Sequence, residues 1–130
     1  MALAKKIYYT AVARGNTILA EYTEIKGTNW RTFTQETLKK VKVGKYVMQL
    51  DQCDYFFERE PGNVDLIYLV AVEKGFSQQV GMNMLSDIQS KFSRHRDPEV
   101  IKVAKPFSMN PEFQSDLQHL YVDNQIPHSA

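Results

Sequence analysis

From Leu66 to Val72 every residue is apolar or aromatic, and the stretch from Val64 is preceded by the turn-forming Glu60-Pro61-Gly62-Asn63. A strand with one wet face alternates polar and apolar side chains with period two, so a run that is apolar at every position has to be covered on both faces. Val64 to Val72 therefore predicts a central strand with helices packed on both sides of its sheet. The run is also far shorter than the ~20 residues that a helix needs to cross a bilayer.

The other elements arrange themselves around that strand. Ile7 to Arg14 is rich in β-branched and aromatic residues, and Gly15-Asn16 supplies the positive-φ turn joining it to Thr17 to Tyr22, which makes a hairpin. Lys5 and Lys6 before Ile7 to Ala13 faintly suggest a signal peptide, but Tyr8, Tyr9 and Thr10 dilute the apolar stretch and Arg14 closes it. After Gly27-Thr28-Asn29, the residues Trp30, Phe33, Thr34, Thr37, Leu38 and Val41 recur at helical spacing, with Asn29 or Thr32 as N-cap, the latter in a capping box with Gln35. Beyond Gly44, Lys45 to Leu50 alternates with Tyr46, Met48 and Leu50 on one side, and Asp54 to Arg59 repeats the pattern through Tyr55 and Phe57. Ser77 to Phe92 returns to helical spacing through Val80, Met84, Leu85, Ile88 and Phe92, with Gly81 a weak spot. Asp97-Pro98 interrupts, Lys105 to Met109 reads as extended, and Pro111 suits the first turn of a last helix capped by Asn110 and running to about Tyr121. The tail after Asp123, with Pro127, His128 and Ser129, is expected to be loose. The order is β-β-α-β-β-β-α-α, a mixed α/β (α+β) chain whose short connections favour a five-stranded antiparallel sheet with helices on both faces.

Chemistry-bearing patterns are sparse. At 130 residues and 43% apolar content the chain suits one domain, expected over residues 1–123 with 124–130 as a flexible tail. Sixteen basic against fifteen acidic side chains give no positive field of the kind that nucleic acid demands. The single cysteine, Cys53, cannot form an internal disulfide, which fits a cytosolic setting. His95, His119 and His128 are scattered without the spacing of a zinc site and read as surface residues. Asp51, Cys53 and Asp54 fall at a strand-to-strand turn with no histidine nearby in sequence to activate the thiol. Gly44-Lys45 lacks the rest of a phosphate-binding loop. Arg94, His95 and Arg96 could touch lipid headgroups or an acidic partner, but cations at a helix C-terminus are accounted for by its dipole. No catalytic, cofactor or metal site is expected, and no nucleophile, base and orienting group converge.

Four stretches carry a resemblance: Val12-Ala13-Arg14-Gly15-Asn16-Thr17-Ile18-Leu19-Ala20, Tyr55-Phe56-Phe57, Leu66-Ile67-Tyr68-Leu69-Val70 and Lys105-Pro106-Phe107-Ser108-Met109-Asn110-Pro111-Glu112-Phe113. Over roughly residues 7–123 the chain resembles the longin family, most closely the vesicle R-SNAREs of the tetanus-insensitive, synaptobrevin-like type. The resemblance implies a profilin-like fold with one helix on one face of the sheet and two on the other. It also implies a SNARE coiled-coil segment and a membrane anchor after the domain; neither occurs in this chain, which is expected to be a fragment.

In such domains the first helix and third strand border a hydrophobic groove that holds the protein's own SNARE segment or a partner's peptide. Carried over, the helix side is Phe33, Thr37 and Val41 and the strand side Tyr46, Met48 and Leu50. Core packing explains all of these equally, and explains Phe33 and Leu38 better than ligand contact does, whereas Met48 and Leu50 are the better candidates for exposure. The implied role is regulation and sorting in vesicle fusion at the cytosolic face of endomembranes. Implied partners are the intramolecular SNARE segment, coat adaptor or tether peptides, and cognate SNAREs, with membrane contact only through the absent anchor. Leu120-Tyr121-Val122-Asp123 leans toward the endoplasmic reticulum and Golgi branch and Arg14-Gly15-Asn16 away from it. The alternative is a longin scaffold subunit, without a SNARE segment, of a tethering, coat or GTPase-regulating complex.

Overall fold

A computed structural model describes residues 6–25, 27, 29–62, 64–95 and 97–125. The elements run β1 (Ile7–Arg14), β2 (Thr17–Tyr22), α1 (Trp30–Leu38), β3 (Gly44–Gln49), β4 (Asp54–Arg59), β5 (Leu66–Val72), α2 (Gln78–Phe92), a 3₁₀ turn (Ser93–His95), α3 (Pro98–Val103) and α4 (Asn110–Gln125). The strands form a five-stranded antiparallel sheet in the order β2-β1-β5-β4-β3. As its composition demands, β5 lies in the middle and every one of its residues is buried.

Alternation along β5 divides the interior in two. Leu66, Tyr68, Val70 and Val72 join a cluster with Met84, Leu85, Ile88 and Phe92 of α2 and Phe113, Leu117 and Tyr121 of α4. Ile67, Leu69 and Ala71 face the other way, into a smaller cluster with Trp30 and Leu38 of α1 and Tyr55 and Phe57 of β4. A bulge in β1 between Ile7 and Tyr9 breaks strict alternation, and both Tyr8 and Tyr9 stack on Trp30, at 5.5 and 6.2 Å between ring centroids.

Several local readings are corrected. Asp97-Pro98 does not merely interrupt: Asp97 accepts from the Glu99 N–H at 3.0 Å and Pro98 begins α3, where its missing N–H is harmless. Lys105 to Met109 is a turn and not a strand, because Phe107 adopts φ +62° while its N–H donates to Ile18 C=O at 2.8 Å and the Met109 N–H donates to Leu19 C=O at 3.0 Å. Asn110 is the first helical residue and not a cap; its side-chain oxygen accepts from the Glu21 N–H across to β2. The last helix continues past Tyr121 to Gln125. Of the two candidate caps for α1, Asn29 is the one used, accepting from the Thr32 N–H. The central strand starts at Leu66, since Asp65 turns to φ +58° and binds Arg59 through both carboxylate oxygens. His95 is not a plain surface residue: its ring is half-buried between Phe92 and Phe113 and lies 3.7 Å from the Glu112 carboxylate. Lys5, Thr28, Asn63, Arg96, Pro127, His128 and Ser129 lie outside the described residues.

Gly81 lets α2 lie directly on the sheet. A Cβ there would sit 2.5 Å from the Phe56 ring, which is itself buried. Gly81→Ala is therefore expected to destabilise the fold by about 1–2 kcal/mol, overpacking outweighing the helix-propensity gain of roughly 1 kcal/mol. Urea unfolding checks this; a stabilised variant would mean that the ring moves aside without cost.

Candidate functional site

Asn29 starts α1, and the helix then turns Trp30, Thr34, Thr37 and Leu38 inward. Phe33 lies on the flank toward β3 and remains 44% exposed, so packing does not consume it as expected, whereas Leu38 is fully enclosed. The floor beneath the helix is a chain of rings. Phe33 stacks on Tyr55 at 5.9 Å, Tyr55 on Phe57 at 5.4 Å, and Tyr46 lies 6.1 Å from Phe57. Register explains this ladder, because Tyr46 pairs with Phe57 and Met48 with Tyr55, bringing their side chains to the same face.

All the groove candidates lie on this face, at different depths. Phe33, Tyr46, Met48 and Leu50 keep exposed surface; Thr37 and Val41 are buried beneath them. Thr37 donates its hydroxyl to the Phe33 carbonyl at 2.9 Å, while Val41 lies past the helix end and its carbonyl accepts from Arg59. The Tyr46 hydroxyl accepts from the Lys42 N–H at 2.8 Å. An open depression of about 430 Å³ is lined by Phe33, Gln49, Leu50, Asp51 and Gln52. Gln49, Asp51 and Gln52 were not legible as lining, because a polar strand end and turn read as ordinary solvent contact.

Ionisable groups near the depression are held in defined states. Burial, and secondarily the Asp54 carboxylate, pushes the Cys53 thiol up to about 11, with Lys74 opposing, so the thiol is protonated at neutral pH. Burial raises the Tyr55 hydroxyl well above its ordinary value; its hydrogen bond with Thr34, 3.0 Å, works in the opposite direction. Lys74 donates to the Leu50 carbonyl at 2.6 Å and to Asp54 at 3.2 Å, fixing the β3–β4 turn. These contacts suit a shaped binding surface with an apolar centre.

Comparison with known proteins gives a match to the family model described as Longin, Regulated-SNARE-like domain, over residues 19–117. The chain is 30% identical over 115 residues to vesicle-associated membrane protein 7B of Dictyostelium discoideum, covering 88% of this chain and 43% of that protein. It is 29% identical over 111 residues to vesicle-associated membrane protein 7 of Gallus gallus, covering 85% and 49%. With vesicle-associated membrane protein 721 of Arabidopsis thaliana it shares 27% over 116 residues, covering 88% and 51%. The chain thus spans about half or less of the length of these curated relatives. No helix among the described residues is long and apolar enough to cross a membrane.

The buried Thr34–Tyr55 bond fixes α1 over β4. Thr34→Val and Tyr55→Phe are each expected to cost about 1–2 kcal/mol by leaving a buried hydroxyl unpaired, and the double variant less than the sum. A double-mutant cycle by chemical denaturation checks this; strict additivity would show that the two hydroxyls are uncoupled.

Proposed function

The chain belongs to the longin family, and from that premise we propose that it is the regulatory and sorting domain of a vesicle SNARE, binding its own SNARE segment or an adaptor or tether peptide between α1 and β3. The observation that carries this reading is the inequality of the two sheet edges. On the outer side of β2, segment 107–114 takes up main-chain groups: Phe107 and Met109 donate to Ile18 and Leu19, and Gln114 donates to the Glu21 carbonyl. Among the described residues no strand lies on the outer side of β3. The Leu50 N–H donates inward to Cys53, so by alternation Lys45, Val47 and Gln49 turn their N–H and C=O groups outward.

An extended peptide added along β3 gains main-chain hydrogen bonds from that edge and side-chain selectivity from the surface formed by Phe33, Tyr46, Met48 and Leu50. Met48 adapts to differing side chains through its flexible thioether. A SNARE segment held there is withheld from zippering with partner helices, and an adaptor peptide held there makes the protein cargo at the cytosolic face of endomembranes. The two occupants compete, and the balance follows their differential affinity.

Replacing Met48 and Leu50 together with Ser removes half-buried apolar surface at the lip of the groove. The double variant is expected to bind a SNARE-segment peptide roughly tenfold more weakly, ~1.4 kcal/mol, with an unchanged circular dichroism spectrum. Titration calorimetry with the segment of vesicle-associated membrane protein 7 of Gallus gallus tests it; unaltered affinity in a folded variant sinks the assignment.

A further inference from the structure

Resting on the peptide-groove reading above, we infer that the occupant is an extended peptide with an apolar centre, a carboxylate at the end beside Lys40 and Lys42 and a cation at the end beside Asp51, and that this charge order is preferred over its reverse. The connection from α1 to β3 carries Lys40 and Lys42, both exposed. Lys39 is held 3.3 Å from Glu36, but Lys40 and Lys42 have no carboxylate within ion-pair distance among the described residues. Arg59 occupies the Val41 carbonyl and is itself neutralised by Asp65, so it neither adds to nor cancels this positive end.

The opposite end is built the other way. The β3–β4 turn exposes Asp51 beside Gln52, and both line the depression. Among the described residues the cation that reaches this turn, Lys74, is committed to the Leu50 carbonyl and Asp54, and Asp51 has no ion-pair partner. Lys45, although it lies on β3, points to the far side of the sheet, where it donates to Ser86 on α2 and faces Glu58 at 3.9 Å, so it does not blur the polarity of the groove. Between the two ends Phe33, Tyr46, Met48 and Leu50 offer partly exposed apolar surface. At about 3.3 Å per residue the span from Lys42 to Asp51 is at most roughly 30 Å, the reach of an extended peptide of about nine residues.

Exposed ion pairs are individually weak, so charge order sets the orientation and selectivity of the occupant more than its affinity. The test uses nine-residue peptides alternating leucine and threonine, with lysine first and glutamate last, with the reverse order, or with uncharged ends, titrated against the intact chain by fluorescence anisotropy. Laid antiparallel to β3, the more stable pairing, the lysine-first peptide puts its cation beside Asp51 and its carboxylate beside Lys40 and Lys42, and it is expected to bind about three- to tenfold more tightly than the reverse order. The preference should vanish in high salt and invert in the triple variant Lys40→Glu, Lys42→Glu, Asp51→Lys. Equal binding of the two charged orders overturns the charge-order inference while leaving the groove reading in place. Binding by none removes both. A dimer at high protein concentration that is lost in Asp51→Asn assigns the edge to a second copy of this chain and overturns the peptide as occupant.

Discussion

The structure depends on one constraint: a strand that has to be dry on both faces. Because β5 cannot present either face to water, the chain must supply a layer on each side, and the supply is unequal. On one side α2, 15 residues long, and α4, 16 residues long, lie together over the sheet. On the other, among the described residues, lies α1 alone, 9 residues long. Five strands at ~4.8 Å spacing span roughly 19 Å from first to last, whereas a helix with its side chains is about 10–12 Å across. One short helix cannot roof such a sheet. The half-exposed rows on β3 and the flank of Phe33 follow from that shortfall, so the groove is a consequence of layer counting before it is a consequence of any ligand.

The same constraint explains why the two most distinctive stretches of the sequence go together. Val12 to Ala20 and Lys105 to Phe113 are distant in the chain but adjacent in space. Arg14 donates to the Ile101 and Ala104 carbonyls, holding the end of α3, and the turn beyond delivers Phe107 and Met109 to Ile18 and Leu19. Arg31, from α1 on the other layer, lies over the Phe107 ring at 4.0 Å and pairs with Glu21. These contacts close the β2 edge, and an edge closed by the chain's own turn is protected from stray pairing. The open edge is thereby confined to β3, beside the uncovered face.

What was legible in the sequence was whatever periodicity and turn chemistry determine locally. The apolar run of β5, the Gly15-Asn16 hairpin and the stripe of α2 each declare themselves within a few residues. The path of Lys105 to Met109 did not, because it is set by hydrogen bonds to β2 and by a positive φ at Phe107, a residue with no intrinsic preference for that region. Gly81 read as a flaw in a helix, although its role is a close approach to Phe56, which no one-dimensional pattern encodes. Helical spacing put Phe33 and Thr37 on one face, but depth depends on what covers that face: Thr37 is 6% exposed and Phe33 44%. The resemblance named the candidate residues, and strand and helix periodicity put them on one face; their ranking by accessibility depends on how far α1 covers that face.

How rigid the groove is follows from where its ends are tied. Arg59 reaches from β4 to the Val41 carbonyl at one end, and Lys74 reaches from beyond β5 to the Leu50 carbonyl at the other. Each cation is also paired with a carboxylate, Asp65 or Asp54, which holds its position. Between these ties the ring ladder of Tyr46, Phe57, Tyr55 and Phe33 forms a floor, with Thr34 fastened to the Tyr55 hydroxyl. A groove braced in this way is preorganised, so on the proposed reading the ordering cost of association falls on the incoming peptide and not on the domain. That favours ligands already extended or tethered nearby. A segment joined to the same chain meets the condition by its high effective concentration, and a free adaptor peptide meets it only through better side-chain complementarity. On the proposed reading, competition between an internal and an external occupant is therefore set by linkage on one side and by fit to Met48 and Leu50 on the other.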